Sequence, residues 1–175
     1  MTMLEKGYIQ IYTGYGKGKT TAAVGLTIRA LGAGLKVAFL QFFKPATSSE
    51  VKILKQFSPQ LFYANFHTEG FVKGTPSEAL KREIEKGVQL FKRLLEENSY
   101  DLCVLDEFTY ALNWKIIDLE KVLNLLREKP KNMEIVITGR EAPEELLSLA
   151  DLVTVMHPLK HYFEKGVEAR WGIEK

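Results

Sequence analysis

Residues 9–21, Ile-Gln-Ile-Tyr-Thr-Gly-Tyr-Gly-Lys-Gly-Lys-Thr-Thr, limit the possible folds of this chain more than any other stretch. An apolar run ends in three glycines at alternate positions (Gly14, Gly16, Gly18), and Lys19, Thr20, Thr21 and a helix-forming segment follow. Glycines let the backbone turn sharply and bring its N–H groups against an anion, while a helix starting just behind them aims its unpaired donors and positive dipole end at the same point. Lys19 can reach the distal phosphates of a nucleotide, and the Thr20 hydroxyl can ligate a magnesium ion that bridges them. The pattern Gly-x4-Gly-Lys-Thr asks for glycine where the chain has Thr13, so the loop is a variant. A glycine-rich turn can also simply let a helix pack close to a sheet; Gly-Lys-Thr-Thr between a strand and a helix favours phosphate binding.

Beyond the loop the pattern alternates. Short apolar runs at 8–13, 36–43, 61–66, 102–105, 135–137 and 152–156 read as strands. Between them lie helical segments: one from the loop to Gly32-Ala33-Gly34, a short one over 50–57, a long one from Thr75, one from about Asp118 to before Pro130, and a short one opened by Pro143. Thr75-Pro76-Ser77-Glu78 predicts a capping threonine, with Leu80, Ile84, Val88, Phe91 and Leu95 on the buried face behind it. Lys81, Glu85, Lys92 and Glu96 read as the solvated face. The aromatic segment 108–114 and the tail from His157 are assigned no regular element. Strands that are almost continuously apolar imply a mostly parallel sheet covered on both faces. The expected fold is α/β: a P-loop NTPase-like three-layer sandwich with about six strands, in one domain over 1–175.

Charge excludes some functions. The chain has 24 basic and 22 acidic residues, a formal net charge of +2, too balanced to suggest a nucleic-acid binder. Anion affinity must therefore be local. Cys103 is the only cysteine, so no intrachain disulfide can form, and its apolar neighbours predict a packed core thiol. The N-terminus lacks the hydrophobic core of a signal peptide and no run is long enough to span a bilayer, which makes the cytoplasm the expected location and a membrane partner unexpected.

In open parallel sheets ligands bind beyond the carboxyl ends of the strands, where Gly14, Gln41, Asp106 and Arg140 all fall. Asp106 and Glu107 end an apolar strand downstream of the phosphate loop and can hold magnesium directly or through water. Adjacent acids at a strand end can instead cap the following helix, but the phosphate loop favours the metal reading, and the sequence leaves open which of the two would touch metal. Arg140 can clamp a phosphate or a substrate carboxylate. Arg29 can reach the nucleotide or form a surface salt bridge. His157 and His161 have a spacing that could chelate zinc on a helix, but Pro158 and the lack of a third ligand oppose it.

Read in order, the segments 13–23, 104–110 (Val-Leu-Asp-Glu-Phe-Thr-Tyr), 137–140 (Ile-Thr-Gly-Arg), 150–153 (Ala-Asp-Leu-Val) and the tail from Lys160-His161 to Gly172-Ile173 closely resemble the P-loop family of ATP:corrinoid adenosyltransferases. The resemblance covers nearly the whole chain. It implies transfer of the 5′-deoxyadenosyl group of ATP to the cobalt(I) of a reduced corrinoid, with triphosphate as the leaving group. It also implies that Gly14, Tyr15, Gly16, Lys17, Gly18, Lys19, Thr20 and Thr21 bind the triphosphate, that Thr20 and Glu107 hold Mg2+ with Asp106 assisting, and that the loop 69–74 meets the corrinoid. On the same basis Phe71 would help exclude the lower axial ligand of cobalt, although Phe71 could also plug its loop to the core. Lys73 stands where better-known members have an aromatic, and His161, in a shared motif, would meet the corrinoid together with Phe71 and Lys73. The resemblance further implies a homodimer and an electron-donating reductase as partner. The competing expectation is a P-loop ATPase, a motor or regulatory module, in which Glu107 polarises a hydrolytic water. A third is a protein that binds magnesium-ATP without consuming it.

Overall fold

The computed structural model describes residues 4–68 and 75–174. Six strands, β1 (Ile9–Thr13), β2 (Val37–Phe42), β3 (Leu61–Phe66), β4 (Leu102–Asp106), β5 (Glu134–Thr138) and β6 (Leu152–Val155), form one sheet in the order β3-β2-β4-β5-β1-β6. Every pairing is parallel. The helices are α1 (Lys19–Gly32), α2 (Ser49–Leu54), α3 (Glu78–Glu97), α4 (Thr109–Asn113), α5 (Leu119–Arg127) and α6 (Glu144–Leu149).

Successive side chains of a strand point to opposite faces, and the central strands fill a core on each side. Ala38, Leu40 and Phe42 of β2, Cys103 and Leu105 of β4, and Ile135 and Ile137 of β5 pack into the core that holds Ile84, Val88 and Phe91 of α3 and Val122 and Leu126 of α5. Their alternates Val37, Phe39, Leu102, Val104 and Val136 pack against Ala23, Ala30 and Leu31 of α1 on the other side. The result is the three-layer α/β sandwich expected from the apolar strands. Cys103 is buried in it as a free thiol, and burial pushes its pKa well above the ordinary value.

Four local features differ from the sequence reading. The N-cap of α3 is Ser77, not Thr75: the Ser77 hydroxyl accepts a hydrogen bond from the Leu80 N–H at 3.1 Å, and Pro76 precedes the helix. Serine caps as well as threonine, and starting at Ser77 puts Leu80 in the first turn with its side chain buried. The helix expected over 50–57 is α for six residues and ends as a 3-10 turn, Lys55–Phe57. Residues 109–113 form the single-turn α4, too short to show a helical period. Finally, β6 is an edge strand paired with β1, and it is exposed along its whole length, unlike the other edge strand β3.

Candidate phosphate and metal site

The loop between β1 and α1 is shaped by its closeness to the residues after β6. The Gly16 N–H donates to the Met156 carbonyl at 2.7 Å, and the Met156 N–H donates to the Thr13 carbonyl at 2.8 Å. A Cβ on Gly14 would lie 2.5 Å from the Met156 carbonyl oxygen, and Gly14 has φ +97°. Both facts require glycine there. Thr13 needs no such freedom. It ends β1 in the strand, and its hydroxyl accepts from the Ala142 N–H at 3.3 Å, tying the loop to the segment after β5.

Gly18 caps α1 without a side-chain acceptor, and the first turn carries no acid. The helix therefore begins with unpaired N–H donors and a positive dipole end, the arrangement that binds a phosphate. Lys19 is buried, and its ammonium donates to the carbonyls of Gly14 at 2.7 Å and Gly16 at 2.8 Å. Burial pulls its pKa below the ordinary lysine value; Glu107 opposes the shift and Arg140 and Lys44 reinforce it.

The strand order decides what stands behind Thr20. β5 lies between β1 and β4, so Thr138 at its end reaches the acids at the end of β4. Asp106 is fully buried. It accepts from Thr20 Oγ1 at 2.9 Å, Thr138 Oγ1 at 2.7 Å and Gln41 Nε2 at 3.2 Å. Gln41 in turn accepts from the Tyr63 hydroxyl at 2.8 Å, and burial pushes that phenol up to about 12. Glu107 sits differently. It has φ +59°, unusual for a residue with a side chain, and its N–H donates to Thr138 Oγ1 at 2.9 Å. This turns its carboxylate towards the cavity while Asp106 stays behind Thr20.

Lys44 completes the group. Its ammonium lies 2.7 Å from Thr20 Oγ1, 2.9 Å from Glu107 Oε1 and 3.5 Å from Asp106 Oδ2. Burial lowers its pKa, but Asp106 and Glu107 outweigh burial and hold it above the ordinary value. One hydroxyl and two carboxylates thus converge on a single cation. Hard oxygen donors of this kind suit magnesium.

A cavity of about 490 Å³ opens in front of these groups, within the range of small-ligand sites. Its walls include residues 15–21, Lys44, Glu107, Arg140 and, from the tail, His161 and residues 172–174. The tail is tied to the loop. Lys17 Nζ donates to Glu174 Oε1 at 2.9 Å and to the Tyr162 hydroxyl at 3.1 Å, and Arg170 pairs with the same Glu174 carboxylate at 3.0 Å. Arg170, Tyr162 and Lys17 hold the Glu174 carboxyl well below the ordinary range. Arg140 stands over the Tyr15 ring at 5.8 Å, and the Arg140 carbonyl accepts from Thr109 Oγ1 at 2.6 Å.

Most residues singled out in the sequence are therefore brought together. Gly14 forms the loop itself, and Tyr15, Gly16, Lys17, Gly18, Lys19, Thr20, Thr21, Glu107, Arg140 and His161 line the cavity. Asp106 stands directly behind. Arg29 is not brought there: it is exposed in the last turn of α1, about 15 Å along the axis from Lys19. His161 Nδ1 accepts from the Phe163 N–H at 3.1 Å, opening a 3-10 turn, Tyr162–Lys165, in the tail. Phe71 and Lys73 lie outside the described residues. Sequence reasoning missed Thr138, Lys44 and Glu174. Thr138 falls in the Thr-Gly-Arg triplet that marked Arg140, whereas nothing local distinguishes Lys44 or Glu174 from surface charges.

A family model described as ATP:corrinoid adenosyltransferase BtuR/CobO/CobP matches residues 5–174. A corrinoid adenosyltransferase of Escherichia coli K12 is 38% identical over 174 residues, covering 97% of this chain and 86% of that protein. Corrinoid adenosyltransferase CobA of Salmonella typhimurium is 36% identical, with the same coverage. The solved structure of the flagellar accessory protein FlaH from Methanocaldococcus jannaschii superposes with a TM-score of 0.58 over 87% of this chain and 72% of its own, at 14% identity, a likeness of fold alone.

Proposed function

Since the chain belongs to the ATP:corrinoid adenosyltransferase BtuR/CobO/CobP family, we propose how its site carries out that reaction and what surrounds it. The activity is transfer of the 5′-deoxyadenosyl group of ATP to the cobalt(I) of a reduced corrinoid. The corrinoid's cobalt(I) supplies the electron pair to C5′, the C5′–O bond breaks, and triphosphate departs with the electrons of that bond. The observation that carries the site assignment is that Lys19, the glycine loop and the first turn of α1 line one cavity together with Arg140 and Glu107.

The cradle's task is to gather charge on a leaving triphosphate. Lys19 would exchange the carbonyls of Gly14 and Gly16 for phosphate oxygens, and Arg140 would approach the same anion from β5. Preorganised donors aimed at developing charge lower the barrier without reorganisation at the moment of reaction. When bound, magnesium supplies charge neutralisation to the triphosphate. Thr20 and Glu107 would hold it, with Asp106 orienting Thr20. No water-activating base is required, because the nucleophile arrives with the second substrate. Phe71, Lys73 and His161 are proposed to meet the corrinoid.

One domain over 1–175, a homodimer, a cytoplasmic location and an electron-donating reductase complete the proposal. The exposed apolar edge β6, where Leu152, Val153 and Val155 are uncovered, supports pairing with a second copy. No helix among the described residues is long and apolar enough to cross a membrane. The hydrolase reading is not favoured by relatives that share the adenosyltransferase name.

The test is incubation with ATP, a magnesium salt and a chemically reduced corrinoid. Triphosphate released only when the corrinoid is present, together with a light-sensitive cobalt–carbon bond, is the expected result. ADP and orthophosphate in its place would overturn the proposal.

A further inference from the structure

Lys44 has no part in the scheme above, yet the fold goes to some length to place it. β2 ends at Phe42, and Phe43 then takes φ +59°, a strained conformation for a bulky residue. Its neighbours hold it there. The Phe43 N–H donates to the Phe66 carbonyl at 3.2 Å, and its ring meets Tyr110 and Trp114 edge-on at 6.0 and 5.4 Å. Asn65 Nδ2 donates to the Lys44 carbonyl at 2.8 Å. This turn directs the Lys44 side chain to the ends of β2 and β4, onto Thr20, Asp106 and Glu107. Asp106 is fully buried and the Glu107 side chain only 14% exposed, and among the described residues Lys44 is the cation that forms an ion pair with both.

We propose that Lys44 is a tethered stand-in for the divalent cation: in the nucleotide-free protein its ammonium occupies the donors of Thr20, Asp106 and Glu107, and a divalent ion gains them only when it arrives with a nucleotide triphosphate. The negative charge of the triphosphate gives the displaced ammonium a new partner in the same cavity. A free divalent ion brings no such partner and would have to sit against a neighbouring positive charge. The site is therefore loaded with the metal–nucleotide complex as a unit, and free metal is rejected. The inference rests on the assignment of Thr20 and Glu107 as metal donors.

The experiment measures Mn2+ binding to the full chain without nucleotide, by loss of the free-ion electron paramagnetic resonance signal. The wild type should bind weakly, Lys44→Met about tenfold or more tightly, and Lys44→Arg like the wild type. The double variant Lys44→Met/Glu107→Gln should lose the gain. Lys44→Gln keeps a donor for Thr20 without the charge and replaces Lys44→Met if that variant fails to fold. A second readout is thermal: Mn2+ alone should raise the Tm of the neutral variant and leave the wild type unmoved. Equal Mn2+ affinity in the wild type and the neutral variants would overturn the inference while leaving the donor assignment intact. Unchanged Mn2+–ATP binding in Glu107→Gln would overturn the donor assignment and the inference with it.

Discussion

Thr138→Val tests whether the acids at the end of β4 depend on β5 for their positions. Valine matches threonine in shape and removes only the hydroxyl, which donates to Asp106 at 2.7 Å and accepts from the Glu107 N–H at 2.9 Å. The first loss is a bond to a charged, fully buried acceptor, worth about 1.5–3 kcal/mol. Asp106 keeps Thr20, Gln41 and Lys44, so the lower part of that range applies. The second loss leaves a partly buried N–H unpaired, about 1 kcal/mol where water can approach. Together they predict a loss of roughly 2–4 kcal/mol, or about 4–16 °C in Tm for a chain of this size. Thr138→Ser keeps the hydroxyl and removes one methyl, for about 1 kcal/mol. Urea unfolding of the three proteins measures the difference, and titration with magnesium-ATP shows whether Glu107 has lost its position. Equal stability of the valine and serine variants, or undiminished magnesium-ATP binding by Thr138→Val, would refute the reasoning.

Lys19→Ala should lower corrinoid-dependent triphosphate release by at least about a hundredfold, as loss of a donor to developing charge does; wild-type turnover would remove the loop from the chemistry. Cys103, buried with its pKa raised by burial, should resist a thiol reagent at pH 8 until the chain is unfolded by urea, and prompt labelling of native protein would contradict its place in the core. Glu174 has a folded pKa depressed by Arg170, Tyr162 and Lys17, so its contribution to docking the tail is fully present above the unfolded carboxylate value of 4.5 and is lost as pH falls below it. In a Trp114→Phe background, Trp171 fluorescence should be flat from neutrality to about pH 5 and change only at lower pH, and Glu174→Gln should abolish that transition. A transition near neutrality would count against this account of the tail.

The glycine-rich loop between a strand and a helix, the alternation of strands and helices and the two-sided burial of the central strands were all legible in the sequence, because each is a local signal. Gly-Lys-Thr-Thr is written within a few residues, and the periods of 2 and 3.6 within one element. Ser77 in place of Thr75 is an error of the same local kind, since two good caps stand two residues apart and only the seating of Leu80 chooses between them. The order of the strands is not local. β2, β4 and β5 are apolar on both faces and look alike, so nothing in their composition says that β5 lies between β1 and β4. That order lets Thr138 support both Asp106 and Glu107, which are 32 and 31 residues away in sequence. The return of the tail onto Lys17 and the turn at Phe43 that delivers Lys44 are likewise tertiary. The sequence determined that a glycine-rich loop would join a strand to a helix at the carboxyl ends of a parallel sheet; the folded chain decided which distant side chains surround it, because they meet through burial and pairing between elements rather than through spacing along the chain.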